Sequence, residues 1–383
     1  AGQFAVSGAV VMRLTRRRFR RQPQMNSAQA VKAKPKRRRR ILSKIVLLCV
    51  VGLVCLVILE AGVRLLLPQP PSWLDLYRVH SRLPMALQPS SHAVVDTGET
   101  HWDVWTDALG HRTAETPDQE LRSRDVALWI GDSFTFGHGV DYEQTWVGRL
   151  EALDGGRFSY INCGVPGYGP VQYDIVLDEA LDGVGEVSAV FVATYIGNDF
   201  HDTIWKKANI IHNGVVGDNG SFRSMIARNL HSYRLATRIL HKLAGRVSKQ
   251  ESALVDLRTP AAWKVSPMLD AIGKYRDAMA SIARKCEARG IPLVVVLIPT
   301  APMVRLMRQH GAALTAETPD ERGTLVRALR ILDSLELRVV DLTPELTKHD
   351  PADLFFRFDG HFRPFGHRVV EELLVRSVPE LTR

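Results

Sequence analysis

Two short segments of this chain carry residue types suited to nucleophilic chemistry. Gly131-Asp132-Ser133 follows directly on the apolar run Val126–Ile130, and Phe358-Asp359-Gly360-His361 lies near the C-terminal end. A hydroxyl, an imidazole and a carboxylate are the parts needed for attack on an acyl carbonyl: nucleophile, general base, and the group that orients the base. Two further segments offer donors for the negative charge such an attack develops. One is the glycine-rich turn Asn162-Cys163-Gly164-Val165-Pro166-Gly167-Tyr168-Gly169, with its backbone N–H groups, and the other is Ile196-Gly197-Asn198-Asp199, with a carboxamide. Gly-Asp-Ser by itself is three common residues and also fits a plain strand-to-helix turn with a hydroxyl cap. The weight comes from each segment standing at the end of its own apolar run.

Those runs are the elements that must position the chemistry. Val126–Ile130, Phe158–Ile161, Ala189–Tyr195, Pro292–Ile298 and Arg338–Leu342 are short and nearly continuous in apolar residues, the pattern of strands buried on both faces. Helical stretches are expected at Gln144–Leu153, Gln172–Leu181, Leu269–Arg289, Leu325–Leu335 and Arg368–Val375. Alternation of the two predicts an α/β fold with a parallel sheet, in which ligands bind beyond the carboxyl ends of the strands. Asp141 opens an Asp-x-x-Gln sequence that reads as a capping box for the first of these helices. Residues 72–124 show few regular periods and read as an irregular N-terminal flap. An insertion at about 200–262 carries the turn signals Asn213-Gly214 and Asp218-Asn219-Gly220.

Over about residues 106–378 the chain resembles the SGNH/GDSL hydrolase superfamily. Gly131-Asp132-Ser133 looks like its first block, Asn162 to Gly167 its second, Ile196-Gly197-Asn198-Asp199 its third and Asp359 with His361 its last. The resemblance implies Ser133 as nucleophile, His361 as base and Asp359 as its orienting acid, with an oxyanion hole from the N–H groups of Ser133 and Gly167 and the Asn198 amide. It also implies a three-layer α/β/α sandwich with a five-stranded parallel sheet of flavodoxin-like order, and no cofactor or metal. Two departures stand out. Ile196 replaces the usual glycine of the third block, and the last block is Asp-x-His, one residue shorter than usual, a pattern similar to that of SGNH-like enzymes that acetylate exported polysaccharides. An acyl ester hydrolase, an O-acyltransferase or deacetylase acting on an acetylated envelope glycan, and a silent envelope scaffold are the three functions in view.

Other residues invite lesser roles. His367 reads as a helix-start or core residue, His138 as a rim residue whose loop turns away from Ser133, and Trp102 with Trp105 as packing anchors. Asp350 and Asp353 are alternative acids for His361. His201, Asp202 and His212 lack the spacing of a metal site and read as solvated loop residues.

The chain has 383 residues, 45% apolar and 24% charged, which excludes a disordered or many-span membrane protein. Its net charge of +9 is uneven: residues 1–44 hold 14 Lys/Arg and no acid, leaving 36 basic against 41 acidic residues in the remainder. A basic nucleic-acid surface on the folded part is therefore not expected. The apolar stretch from Ile45 to Val63 is interrupted only by Glu60, and residues 45–67 are expected to form a single transmembrane helix. The basic arm 1–44 before it predicts a cytoplasmic, disordered N-terminus and a periplasmic or extracellular catalytic domain at 125–383, reached through a linker and flap at 68–124. Of the cysteines, Cys49 and Cys55 fall in the span, while Cys163 and Cys286 either pair or stay buried as thiols.

Overall fold

The computed structural model describes residues 35–67, 76–115, 125–184, 186–202, 226, 230–244, 266–311 and 321–379. The arm before residue 35, the proline-rich segment at 68–71, His212 and the turn signals at 213–220 lie outside these. The chain divides into two compact units, residues 1–61 and 62–383. Helix α1 (Pro35–Leu66), most of which belongs to the first, runs through the expected span and begins earlier than residue 45, taking in Lys36 to Arg40. Its stretch Arg40–Leu66 is long and apolar enough to cross a membrane, and large apolar side chains from Leu47 to Leu59 are exposed.

The second unit is built on strands. A two-stranded antiparallel pair, β1 (Tyr77–Arg78) and β2 (Ala86–Leu87), comes first. Then follow β3 (His92–Asp96), β4 (His101–Thr106), β5 (Arg112–Thr113) and β6 (Asp125–Gly131), the one-turn helix α2 (Ser133–Phe136), helix α3 (Trp146–Asp154) and β7 (Phe158–Asn162). Next are α4 (Pro170–Gly183), β8 (Val187–Tyr195), α5 (Asp199–Asp202), α6 (His231–Ala244), α7 (Ser266–Glu287) and β9 (Leu293–Ile298). The chain continues through α8 (Ala301–His310), α9 (Glu321–Ser334), β10 (Arg338–Asp341), α10 (Thr343–Leu346), α11 (Pro351–Leu354) and α12 (Pro364–Ser377).

Strands β3 to β10 form one eight-stranded sheet in the order β10-β9-β8-β6-β7-β5-β4-β3. Five of them, β7, β6, β8, β9 and β10, are parallel neighbours, so the first parallel strand lies between the second and third, as flavodoxin-like order requires. Successive residues of β6 face opposite layers. Val126, Leu128 and Ile130 pack with Tyr173 and Leu177 of α4, Tyr275 and Met279 of α7 and Leu325 and Leu332 of α9. Ala127 and Trp129 pack instead with Trp146 and Leu150 of α3 and with Val370 and Leu374 of α12. The five predicted strands and five predicted helices are all found, within a few residues of their expected ends.

Two expectations about the fold need correction. The flap is not irregular: its β3, β4 and β5 are antiparallel strands that continue the sheet beyond β7 and widen it from five strands to eight. Ala93, Val95, Trp102 and Val104 are buried at every second position, a period of two masked in the sequence by interleaved His and Asp. Because successive residues alternate faces, Trp102 enters the core while Trp105 stacks on His92. Asp141, for its part, does not cap a helix with its side chain. Its carboxylate accepts the backbone N–H of Asp103, and Thr145 caps α3 by accepting from Gly148. Of the two alternatives for Cys163 and Cys286, the structure has the second: both are buried thiols, unpaired.

Arg112 locks β5 to the loop after α2. It is 1% exposed, and its guanidinium donates to the carbonyls of Phe136, Gly137 and Val140 at 2.5, 2.6 and 2.5 Å. Burial lowers its pKa to about 10, so it stays charged at neutral pH. Replacing Arg112 with Met keeps the apolar stem but leaves those carbonyls without a donor. A loss of about 3 kcal/mol of unfolding free energy is expected, read from the urea midpoint. An unchanged midpoint would show that the three bonds are not needed.

Candidate active site

The site forms where the chain has to leave a buried strand abruptly. After β6, Gly131 leaves no room for a side chain: a Cβ there would collide with the Thr135 side chain and lie 2.9 Å from the Ala193 carbonyl oxygen. Asp132 then caps α2, its Oδ1 accepting the N–H of Phe134 at 2.9 Å, and Ser133 opens the helix at the end of the sheet. Gly137, with φ of +79°, ends that helix after one turn.

The last predicted segment arrives through a tight loop between α11 and α12. Phe355 pairs with Phe362, the Phe356 N–H donates to the His361 carbonyl at 2.9 Å, and the Gly360 N–H donates to the Phe356 carbonyl at 3.1 Å. Gly360 has a φ of +81°, which lets Asp359 and His361 fold back on each other despite being only two residues apart. His361 Nδ1 lies 2.5 Å from Asp359 Oδ1, and His361 Nε2 lies 2.7 Å from Ser133 Oγ. With Nδ1–H donating to the carboxylate, Nε2 is free to accept from the hydroxyl. The structure therefore brings Ser133, His361 and Asp359 into one hydrogen-bonded chain.

The other predicted residues sit around them. Strand pairing puts the ends of β6, β7 and β8 at the same edge of the sheet. The turn carrying Gly167, φ +82°, is stitched to β6 by the Val165 N–H donating to the Gly131 carbonyl. Asn198 follows β8, and its amide helps oppose a rise in the Asp132 carboxyl's pKa that burial drives. Asp199 fixes this turn: it accepts from the Tyr173 and Thr194 hydroxyls at 2.9 and 2.5 Å and from the Tyr195 N–H at 3.0 Å. Burial, then the Asp132 charge, pushes the Asp199 carboxyl up as well.

Sequence reasoning missed three participants. Asn162, the first residue of the second segment, donates to the Thr135 carbonyl at 2.8 Å and accepts from the Gly164 N–H at 2.9 Å, tying that turn to α2. Glu99, at the tip of the β3–β4 hairpin, accepts the backbone N–H groups of Arg357, Phe358 and Asp359 at 2.6, 3.0 and 3.0 Å. A single exposed carboxylate thus holds the loop that carries Asp359. The third is His138, whose loop does not turn away. Its Nε2 lies 3.4 Å from Asp359 Oδ2, and its ring centroid is 4.6 Å from that of His361. Burial would raise the Asp359 pKa, but hydrogen bonds from His138 and His361 outweigh it and hold the carboxyl well below its usual range.

The rival assignments fall elsewhere. Asp350 caps α11 through Ala352 and pairs with Arg308 at 3.2 Å. Asp353 lies in α11 and is exposed. His201 Nδ1 and Asp202 Oδ1 are 4.0 Å apart in α5. The donor atoms of His138, Asp359 and His361 lie within 4.8 Å of one another, a spacing a metal ion can use, but here His361 is hydrogen-bonded to one carboxylate oxygen of Asp359 and His138 Nε2 stands 3.4 Å from the other. His367 is 1% exposed, and its Nδ1 accepts the Trp146 N–H at 3.3 Å.

Residues 266–381 match the family model described as SGNH hydrolase-like domain, acetyltransferase AlgX. The match includes Asp359 and His361, whereas Ser133 lies before it, and it bears out the resemblance to the SGNH superfamily. Among solved structures, a putative lipolytic protein of the G-D-S-L family from Desulfitobacterium hafniense DCB-2 is 12% identical with a TM-score of 0.37, over 67% of this chain and 100% of that one. A G-D-S-L family protein from Veillonella parvula DSM 2008 is 12% identical with a TM-score of 0.37, over 66% and 97%. A mutant of Axe2, an acetyl-xylooligosaccharide esterase from Geobacillus stearmophilus, is 12% identical with a TM-score of 0.37, over 68% and 96%. No curated protein sequence matches the chain.

Burial, followed by the charges of Arg112, His361 and Arg149, lowers the His367 pKa from 6.5 to about 3. A histidine depressed on folding stabilises the fold above its unfolded pKa and loses that contribution as pH falls toward the folded value. Stability should therefore decline between about pH 6.5 and 3 in the wild type. His367→Asn, whose Oδ1 keeps an acceptor for the Trp146 N–H without titrating, should flatten that decline in thermal melts. Parallel curves for the two proteins would refute the assignment.

Proposed function

We propose that this chain is a serine-dependent acyl ester enzyme of the SGNH/GDSL type, acting outside the cytoplasm through an acyl-enzyme. The observation that carries the reading is the chain from Ser133 Oγ through the His361 imidazole to the Asp359 carboxylate. As Ser133 Oγ attacks the acyl carbonyl, His361 Nε2 takes the hydroxyl proton, and Asp359 stabilises the imidazolium through Nδ1–H. The N–H groups of Ser133 and Gly167 and the Asn198 amide receive the tetrahedral oxyanion. When the C–O bond to the alcohol breaks, His361 returns the proton to the leaving oxygen. An acceptor then attacks the acyl-enzyme, again losing its proton to His361, and Ser133 is regenerated.

Water as acceptor gives an esterase, and a glycan hydroxyl gives an O-acetyltransferase. Two observations favour an acetylated envelope polysaccharide as the substrate class: the family described by an acetyltransferase, and the two-residue spacing of Asp359 and His361. The helix over Arg40–Leu66, preceded by basic residues, supports a single membrane anchor with its N-terminal side in the cytoplasm. The mildly acidic body gives no support to nucleic-acid binding.

Ser133→Ala is expected to lower p-nitrophenyl acetate turnover by about 1,000-fold or more with an unchanged melting temperature, because this hydroxyl contributes little to packing. Labelling by a fluorophosphonate should be lost in both Ser133→Ala and His361→Ala, while Asp359→Asn should lose less activity than His361→Ala. Equal turnover by purified Ser133→Ala and wild type would defeat the reading, and a wild type that neither turns over ester nor takes the label would leave an envelope scaffold. Products formed with and without a glycan acceptor then separate transferase from hydrolase. Topology has its own measure: an alkaline phosphatase fusion after Arg383 should be active, and cytoplasmic reporter activity at that site would reverse the orientation.

A further inference from the structure

His138 is placed by contacts with three separate elements. Its backbone N–H donates to the Ser133 carbonyl at 2.9 Å, closing α2. The Trp102 ring of β4 meets its imidazole edge-on, with centroids 4.8 Å apart. Arg112 draws in the carbonyls on either side, at Gly137 and Val140. The imidazole left between them has its Nε2 3.4 Å from the Asp359 carboxylate.

That carboxylate has an uneven set of neighbours. Oδ1 faces His361 twice, through Nδ1 at 2.5 Å and the backbone N–H at 3.4 Å, a consequence of the two-residue spacing. Oδ2 faces His138 Nε2 at 3.4 Å. Resting on the reading of Ser133 and His361 above, we propose that His138 is a positioning residue: its Nε2–H holds Oδ2 so that Oδ1 is presented to His361 in one orientation. The donor works as a neutral group. Burial lowers the His138 pKa; the Asp359 contact opposes this, and the His361 charge adds to the lowering. A neutral imidazole orients the carboxylate without placing a second positive charge beside the one that forms on His361.

The charged and titratable groups around this pair are few enough to read a pH profile. His138 faces Asp359 and His361, with Arg112 acting at longer range. His361 faces Asp359 and His138 and acts electrostatically on Asp132 and His367, and the Glu99 carboxylate accepts the Asp359 backbone N–H from the β3–β4 hairpin. Without His138, Oδ2 loses its donor, the carboxylate attracts the imidazolium more strongly, and its orientation is less restricted. The acid limb of kcat/KM should then move to higher pH, while the rate falls at every pH.

The test compares His138→Ala, His138→Phe and His138→Gln, each checked by circular dichroism and melting temperature. Phe fills the space without a donor, and the Gln side-chain amide donates from nearly the place of Nε2 without titrating. The donorless variants should lose about tenfold in kcat/KM and shift the acid limb up by about half a pH unit, and Gln should restore both. In an Asp359→Asn background, His138→Phe should add no further loss. A folded Ala or Phe variant with the wild-type profile, or a folded Gln variant as impaired as Phe, overturns the proposal. Turnover retained by Ser133→Ala would overturn the underlying reading instead, so the two failures are distinguishable.

Discussion

The 2.7 Å contact between Ser133 Oγ and His361 Nε2 joins residues 228 positions apart in the chain. Proton transfer between them depends on separation and angle within a few tenths of an ångström, and no local propensity can supply that over such a span. The parallel sheet supplies the Ser133 half, because β6 is buried between β7 and β8 and ends in a glycine that fits against Ala193. The other half is a loop, and loops need outside supports. Here the supports are the Phe355 to Phe362 pairing from within and the Glu99 carboxylate from without.

Charge is disposed around that contact in a consistent way. Asp359 is held ionised by two imidazoles, as the orienting role proposed for it requires. Behind Ser133, Asp132 and Asp199 are buried carboxyls whose pKa values burial raises, so they resist ionisation close to the place where an oxyanion would form. Arg112, the large buried cation near Ser133, spends its donors on backbone carbonyls and so binds a strand to a loop. Residues of similar type thus do different work according to how many hydrogen bonds reach them and from which side.

The five parallel strands were legible because burial on both faces leaves an unbroken run of Val, Ile, Leu and Phe. Ser133, Asp359 and His361 were legible because glycines and strand ends mark sharp turns next to reactive groups. The hairpin β3–β4 was not, because its short strands mix Trp and Val with His and Asp, and its partners lie far away in sequence. Glu99 binds residues more than 250 positions distant, a pairing no period can reveal. His138 was misplaced for a related reason. Between Gly137 and Gly139, both with positive φ, the backbone can leave in several directions, and the buried Arg112 decides which one it takes.

The antiparallel extension also fixes where the unit that carries the candidate site can be cut. A chain started at Asp125 would keep all five parallel strands, Ser133, Asp359 and His361, and by any inventory of motifs it would be complete. It would lack Glu99, Trp102 and Arg112, and with them the hairpin clamp on the Asp359 loop and the core contact and guanidinium that seat His138. The smallest piece that keeps the candidate site as it stands therefore begins ahead of β3, and a segment moved out of this chain would have to carry the N-terminal hairpin together with the C-terminal loop it grips.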